Sequence, residues 1–256
     1  MDVFTNVVAT HASRKEYDMA LQKCDQQLAQ VGDNPGVAAI IFDLKGGLYL
    51  AQGDKSQAEA SYRLALEKEP NFMRPFYELA RIYLADKKED QAIDQYTAIL
   101  AKDPKQLSAH MMLGTIYDVQ RRFDMSEKHY RKALDLNPNF APAANNLAYL
   151  LAAQDKDVNE ALVFARKAKE KLPNDPNVMD TLGLVYYKKG FYDNAIAEFR
   201  GSLEKIPENA TVHYHLGMAY YKKGESDRAR TSLKKALRLD ANFDHAEEAK
   251  KVLAEL

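Results

Sequence analysis

Residues 181–207 read TLGLVYYKKGFYDNAIAEFRGSLEKIP, and this stretch decides the fold. Apolar side chains recur at helical spacing on both sides of Gly190, which interrupts the pattern. Gly183 leaves room for a second helix to approach closely, and Phe199 supplies the bulk that fills the space beside it. Pro207 then ends the second helix. The stretch therefore predicts two antiparallel helices that pack as a hairpin.

The same hairpin pattern recurs along most of the chain. Its second helix ends at a proline in five copies, with spacings of 34, 34, 35 and 34 residues: Pro70, Pro104, Pro138, Pro173 and Pro207. Its first helix carries a small residue at the position of close approach in six copies: Gly46, Ala80, Gly114, Ala148, Gly183 and Gly217. A fixed period of this length indicates stacked helical repeats, in which each hairpin buries its apolar face against its neighbours.

This period and these residues resemble the tetratricopeptide repeat family over nearly the whole chain. The resemblance implies an all-α, right-handed superhelical solenoid of about seven helical hairpins plus a C-terminal capping helix. The six regular repeats are predicted at residues 39–72, 73–106, 107–140, 141–175, 176–209 and 210–243. One extra residue near Asp155 falls in a hairpin turn, where an insertion costs little.

Both ends depart from the regular repeat. Residues 1–38 resemble a degenerate first hairpin, in which Phe4, Val7 and Val8 are predicted to face inward. The loop Gly32–Pro35, which connects this hairpin to the next repeat, is longer than the other loops. Residues 244–256 form an amphipathic helix rich in Glu and Lys, which is typical of the polar cap on a terminal repeat. Since the N-terminal end has no such cap, we expect either a longer array or a docking surface there.

Composition and charge argue against several classes of function. The 36 Lys and Arg residues nearly balance the 37 Asp and Glu residues, so no basic excess supports binding to nucleic acid. No segment has the roughly 18 uninterrupted apolar residues that a membrane helix needs, so no direct membrane insertion is expected. Cys24 is the only cysteine, which excludes an internal disulfide, and it is predicted to be a buried core thiol.

The sequence contains no signature of catalysis, so the protein is predicted not to be an enzyme and to need no cofactor or metal. It has no phosphate-binding loop, no HExxH and no GxSxG motif. His213 and His215 are two residues apart on a predicted helix, a spacing that points them to different faces and makes a poor metal pair. His110 and His213 occupy a position that faces the core and are predicted to pack there.

The resemblance implies that one face of each first helix lines a concave groove. The predicted groove residues are mainly aromatic, Met, amide or charged side chains: Arg74, Tyr77, Arg81, Met111, Asn145, Tyr149, Asp180, Leu184, Tyr187, Lys188, Tyr214, Met218 and Tyr221. Such a mixture suits an extended peptide or an amphipathic helix. Tyr187 and Tyr221 each follow a tyrosine of the packing pattern by one residue, which turns them about 100° further round the helix.

The leading hypothesis is a non-enzymatic scaffold that binds a peptide or a partner protein in this groove. Some family members clamp the C-terminal carboxylate of chaperones with Lys and Asn at groove positions. Those positions hold Asp43 and Gly47, then Tyr77 and Arg81, in the first two regular repeats, so a chaperone adaptor is disfavoured. The stretch NNLAYLLA at residues 145–152 also gives a loose resemblance to bacterial repeat proteins and lipoproteins of envelope or exopolysaccharide export, including exosortase-associated systems.

Two alternatives stay open at this point. The chain could be a structural element that self-assembles into a homo-oligomer through its uncapped N-terminal end. It could also be the non-catalytic part of a larger enzyme. The resemblance is compatible with both a periplasmic and a cytoplasmic location, and it does not identify the partner.

Overall fold

The computed structural model describes residues 2–31 and 34–256, and the regular structure in these residues is entirely α-helical. Seven helical pairs and a last single helix follow one another, as predicted. Their bounds are α1 Asp2–Ser13, α2 Tyr17–Val31, α3 Pro35–Gln52, α4 Lys55–Lys68, α5 Met73–Ala85, α6 Glu89–Lys102, α7 Leu107–Val119, α8 Phe123–Leu136, α9 Ala141–Ala153, α10 Val158–Lys171, α11 Pro176–Lys188, α12 Tyr192–Lys205, α13 Ala210–Lys223, α14 Ser226–Leu239 and α15 Ala246–Glu255. The predicted long loop includes Gly32 and Asp33, which lie outside the described residues.

The tight turn inside each pair contains a residue in the left-handed backbone region. Gly190 has a φ of 78° at this point, which explains why the helical pattern of the opening stretch stops there. The same turn recurs in every helical pair. In four of the pairs the left-handed residue is not glycine, and one example is Lys87, with a φ of 58°. The turn between α9 and α10 spans residues 154–157, one residue longer than the turn between α11 and α12.

The small residue of the first helix marks a close contact with the second helix. A Cβ atom added to Gly183 would lie 2.6 Å from the ring of Phe199, and one added to Gly46 would lie 2.6 Å from the ring of Tyr62. Real Cβ atoms are not found so close to another carbon. The prediction that Gly183 and Phe199 form the packing contact of the hairpin is confirmed, and so is the interpretation of Gly46 as a packing residue.

The chain divides into two compact units, unit 1 at Met1–Ile116 and unit 2 at Tyr117–Leu256, with the division inside α7. In unit 1, Val8 and Cys24 are buried in a cluster that joins α1 and α2 to α3. Burial raises the pKa of the Cys24 thiol to about 11, so this thiol is protonated and inert at neutral pH. Val7 is exposed, so its predicted inward position is wrong. The buried face of α1 contains Val8, and Val7 lies on the neighbouring, solvent-facing side of the helix.

The two histidines that were predicted to pack have the same role in two different repeats. The imidazole of His110 is buried and its Nε2 atom lies 3.1 Å from the carbonyl oxygen of Pro104. The Nε2 atom of His213 lies 2.8 Å from the carbonyl oxygen of Pro207. Each histidine therefore ties the start of a first helix to the proline turn before it, at a position where the chain has no tryptophan to fill the space.

In unit 2, α15 packs against the end of the last hairpin. Ala249 and Val252 of α15 are buried against Leu233 of α14 and Met218 of α13. The segment before α15 adds Phe243 to the same cluster. This packing places the beginning of α15 beside the first helices of unit 2, and it forms one wall of the site described next.

Candidate functional site

A cavity of about 170 Å³ lies in unit 2 and is enclosed by the first helices of three repeats and by the C-terminal segment. We call it the tyrosine cavity, because three tyrosines contribute to its wall. Its lining residues are Tyr149, Ala153, Leu184, Tyr187, Lys188, Phe199, Tyr214, His215, Met218, His245 and Glu248. Six of them belong to the groove predicted from the sequence: Tyr149, Leu184, Tyr187, Lys188, Tyr214 and Met218. The structure thus brings together residues of α9, α11 and α13 that are 26 to 69 positions apart.

A second cavity of about 410 Å³ adjoins the same residues of α9 and is more open. We call it the aspartate cavity. Its lining residues are Asp118, Val119, Arg121, Phe123, Tyr149, Leu150, Ala153, Gln154, Asp244 and His245. Tyr149, Ala153 and His245 line both cavities, so the two form one continuous concave region of unit 2.

The C-terminal segment closes one side of the tyrosine cavity through contacts with Tyr214. The imidazole of His245 stacks on the Tyr214 ring, with 4.8 Å between ring centres and an angle of 3° between the planes. Burial raises the pKa of the Tyr214 hydroxyl, and the nearby carboxylate of Glu248 raises it further. As a result only 6% of Tyr214 and 6% of Met218 is exposed, so these two residues form the floor of the cavity rather than an open groove.

Below this floor, a nearly buried His–Asp pair links α11 to α13. The Nδ1 atom of His215 lies 2.8 Å from the carboxylate of Asp180, and both side chains are nearly buried. Asp180 was predicted as a groove residue, but the structure shows that its carboxylate is engaged with this histidine. The pair holds α11 and α13 in register and places the His215 ring against Phe199 at 5.4 Å.

Burial and neighbouring carboxylates determine the electrostatics of the site. Burial raises the pKa of Tyr187 to about 12, and Glu248 adds to this shift. Burial also raises the pKa of Tyr149, with further contributions from Asp180 and Asp118. Both tyrosine hydroxyls are therefore neutral at physiological pH and are available as hydrogen-bond groups. Burial raises the pKa of Asp118 as well.

Two predicted groove residues of unit 2, Lys188 and Tyr221, are held by intramolecular contacts, whereas the side-chain oxygen of a third, Asn145, is not. The Lys188 ammonium lies 2.6 Å from the carboxylate of Asp155. The Tyr221 hydroxyl donates to Glu255 at 2.8 Å, which fixes it against the end of α15. The side-chain oxygen of Asn145 is buried, and among the described residues it has no hydrogen-bond partner.

Three of the predicted groove residues of unit 1 have polar side-chain partners within that unit. Arg74 donates to the buried carboxylate of Asp43, and Arg81 forms an ion pair with Glu78 at 2.7 Å. The Tyr77 hydroxyl lies 2.8 Å from the hydroxyl of Ser108, while Met111 is half-buried on α7. Arg74 and Tyr77 therefore join adjacent repeats of unit 1, while Arg81 pairs within its own helix.

Neither a metal site nor a membrane-spanning helix is found in the parts of the chain that the structure describes. Within residues 2–31 and 34–256, no group of three or more His, Cys, Asp or Glu side chains could hold a metal ion. No helix among the same residues is both long enough and apolar enough to cross a bilayer.

Several family models of helical repeats match this chain. Models described as tetratricopeptide repeat match residues 44–107, 108–140, 129–162 and 210–243, and a model described as TPR repeat matches residues 183–224. The chain belongs to the tetratricopeptide repeat family. No curated protein sequence matches it significantly.

Solved structures of tetratricopeptide repeat proteins share this fold at low sequence identity. YrrB, described as a TPR protein with an unusual peptide-binding site, is 23% identical and matches 76% of this chain and 100% of its own, with a TM-score of 0.60. A tetratricopeptide repeat protein from Parabacteroides merdae is 18% identical over 99% of this chain and 98% of its own, with a TM-score of 0.64. PilW, described as a type IV pilus biogenesis factor, is 21% identical over 84% of this chain and 98% of its own, with a TM-score of 0.64.

The sequence pattern did not indicate three titratable residues of the tyrosine cavity: His215, His245 and Glu248. His215 lies outside the groove-facing positions of the family, and its role depends on Asp180 in the preceding repeat. Glu248 stands 34 residues after Tyr214, so continuing the repeat period into the capping helix would have placed it in the groove. The composition of that helix predicts only a solvating role, although its first turn contributes to the wall of the tyrosine cavity.

Proposed function

We propose that this tetratricopeptide repeat protein is a non-enzymatic scaffold and that the concave side of unit 2 binds a peptide segment of a partner protein. The observation that carries the proposal is the convergence of six predicted groove residues on one cavity. Tyrosine and Met side chains provide broad apolar contacts at little entropic cost, and the phenolic hydroxyls add directional hydrogen bonds. YrrB, a protein with the same fold, has a peptide-binding site by its own description, which supports peptides as the class of ligand.

The size of the tyrosine cavity supports a peptide side chain as its occupant. Pockets for drug-sized ligands and cofactors usually have about 300 to 1,000 Å³. At about 170 Å³ the tyrosine cavity is smaller, and it shares Tyr149, Ala153 and His245 with the wider aspartate cavity. We therefore place one anchoring side chain in the tyrosine cavity and the flanking peptide along α9 and the turn that follows it.

The experiment is selection of a displayed library of random 12-residue peptides on the intact chain. Enriched peptides are then measured against two variants, Tyr149→Ala and Tyr186→Ala. Tyr149 lines both cavities, whereas Tyr186 lines neither and contacts Phe191 on the turn side of α11. We expect Tyr149→Ala to weaken binding by about tenfold or more, as is usual for a central aromatic anchor, and Tyr186→Ala to leave it within about twofold. If no enriched peptide depends on Tyr149, the proposal is wrong.

Self-assembly through the N-terminal end is a second candidate, which one observation favours. Val3 is 79% exposed and Val7 and Met19 are also exposed, so α1 and α2 present apolar side chains to solvent. Replacing Val3 and Val7 by Glu tests this candidate by sedimentation velocity. A concentration-dependent dimer that disappears in the double variant would support it, and a monomer at all concentrations would exclude it.

The setting in a bacterial secretion or polysaccharide export assembly stays a prediction from the sequence. PilW takes part in type IV pilus biogenesis by its own description, but at 21% identity the likeness concerns the fold alone. Locating the tagged native protein in fractionated cells tests the setting. An envelope fraction would support it, whereas recovery only with cytosolic markers would contradict it.

A further inference from the structure

We infer that the peptide bound by unit 2 is basic, and that a Lys or Arg side chain of the partner lies against Tyr149 where the tyrosine and aspartate cavities meet. This inference rests on the proposed function and specifies the chemistry of its partner. It is carried by three features of the described residues: unpaired carboxylates at the cavity wall, local pairing of most nearby cations, and aromatic rings arranged around the opening.

Two carboxylates at the wall of the aspartate cavity have no partner within the described part of the chain. Asp118 on α7 and Asp244 in the segment before α15 both line the aspartate cavity. In the part of the chain that the structure describes, no ion pair or side-chain hydrogen bond engages either carboxylate. Asp118 is half-buried, and burial alone raises the pKa of its carboxyl group. A half-buried carboxylate without a partner costs free energy, and an incoming cation would recover it.

The cations of the site are mostly engaged already. The Lys188 ammonium is held by Asp155 at 2.6 Å, and the His215 ring is held by Asp180. Arg121 lines the aspartate cavity together with Asp118 and Asp244. The surroundings of the peptide therefore contain more carboxylate than available positive charge.

The other titratable groups near the two cavities do not offset this excess of negative charge. Glu248 lines the tyrosine cavity, is exposed, and lies close enough to Tyr214 to raise the pKa of its hydroxyl. Burial lowers the pKa of His245, with a further contribution from His215, so His245 is neutral at physiological pH. Lys222, at the far end of α13, lies over the Tyr221 ring and lines neither cavity.

The aromatic lining fits the long stem and the charged end of Lys or Arg. Tyr149 forms part of both cavities, and Tyr187, Tyr214 and His245 complete the ring-lined wall. The methylene groups of Lys and Arg pack well on aromatic faces, and the cation gains from the negative face of the ring. An acidic side chain would gain neither contact and would meet Asp118 and Asp244 as like charges.

The test uses the same library of random 12-residue peptides, with the selection repeated on an Asp118→Asn/Asp244→Asn variant. The control is Asp193→Asn/Asp227→Asn, which removes the same two charges from exposed positions on α12 and α14 that line neither cavity. We expect the peptides that depend on Tyr149 to be enriched in Lys and Arg. Their affinity in low-salt buffer should fall about tenfold in the double variant and stay within about twofold in the control.

Each outcome bears on a defined claim. Peptides that depend on Tyr149 but are neutral or acidic would leave the proposed function standing and would overturn the inference. The same conclusion would follow if basic peptides bound the double variant as tightly as the wild-type chain. If no peptide depends on Tyr149, both the proposed function and the inference fail. Asp244→Asn alone, at an exposed position, supplies the charge test if the double variant does not fold, and circular dichroism establishes folding.

Discussion

The groove positions of unit 1 and unit 2 come from the same repeat pattern but have different surroundings. In unit 1, Arg74 neutralises the buried carboxylate of Asp43, and Arg81 pairs with Glu78. In unit 2 the equivalent face contains tyrosines, and the carboxylate of Asp118 has no ion pair within the described chain. The difference teaches that a groove position becomes available to a partner only where the neighbouring repeats leave its chemistry unsatisfied.

The largest expected effect comes from breaking the pair in unit 1. Arg74→Ala leaves the carboxylate of Asp43 buried, at 1% exposure, without its cation. We expect a loss of about 3 kcal/mol in the free energy of unfolding at pH 7.5, the low end of the range for such pairs. Lys188→Ala in unit 2 breaks an exposed pair with Asp155 and should cost less than about 1 kcal/mol. Chemical denaturation of both variants measures the difference, and equal losses would contradict the comparison.

The pH dependence of stability sharpens the same contrast. Burial raises the pKa of Asp43 to about 6, although the neighbouring Arg74 lowers it in part. Because the folded-state pKa lies above the unfolded value, this group favours folding at low pH, and its contribution is lost as the pH rises through about 6. Lowering the pH from 7.5 to 5 should stabilise wild type relative to Asp43→Asn by roughly 1 to 1.5 kcal/mol. Parallel denaturation curves at the two pH values measure this, and an unchanged difference would show that Asp43 does not titrate in this range.

A smaller effect distinguishes the hairpin turns of the two units. Lys87 in unit 1 and Asp155 in unit 2 both have positive φ values, of 58° and 49°. Lys87→Gly should stabilise the chain by roughly 0.5 to 1 kcal/mol, because Lys is strained in the left-handed region. Asp155→Gly should give no gain, since Asp tolerates this region and Asp155 also pairs with Lys188. Thermal unfolding of the two variants measures both, and a gain from Asp155→Gly would contradict the argument.

The smallest expected effect is the change in the free energy of unfolding caused by Asp118→Asn. Its carboxylate makes no hydrogen bond or ion pair in the described residues, so neutralising it removes no contact. We expect the free energy of unfolding to change by less than about 0.5 kcal/mol, with any change a gain. A clear loss in chemical denaturation would mean that Asp118 serves the fold rather than a partner.

The helical hairpins could be predicted from sequence because their determinants repeat. The contact between Gly183 and Phe199 occurs at a fixed spacing, and the structure places these residues as expected. The repeat bounds between residues 39 and 243 stay predictions, as does the role of each groove residue in binding. The side-chain partners were not predictable, since Arg74 with Asp43 and His215 with Asp180 each join two repeats through a pairing that the repeat pattern does not contain.

The wall that α15 adds was missed for a different reason. Its composition is that of a solvating cap, and its apolar residues pack inward as such a cap requires. Composition alone gave no indication that His245 would stack on Tyr214 or that Glu248 would line the tyrosine cavity. Only the continuation of the 34-residue spacing from Tyr214 to Glu248 contains that information.

The most direct test of the central claim is the dissociation constant of one selected peptide for three proteins: wild type, Tyr149→Ala in unit 2 and Tyr77→Ala in unit 1. Both tyrosines occupy predicted groove positions, but only Tyr149 lines the cavities described in unit 2. We predict that Tyr149→Ala raises the dissociation constant about tenfold or more, while Tyr77→Ala changes it by less than about twofold. A loss of affinity in Tyr77→Ala equal to or greater than that in Tyr149→Ala would contradict the account.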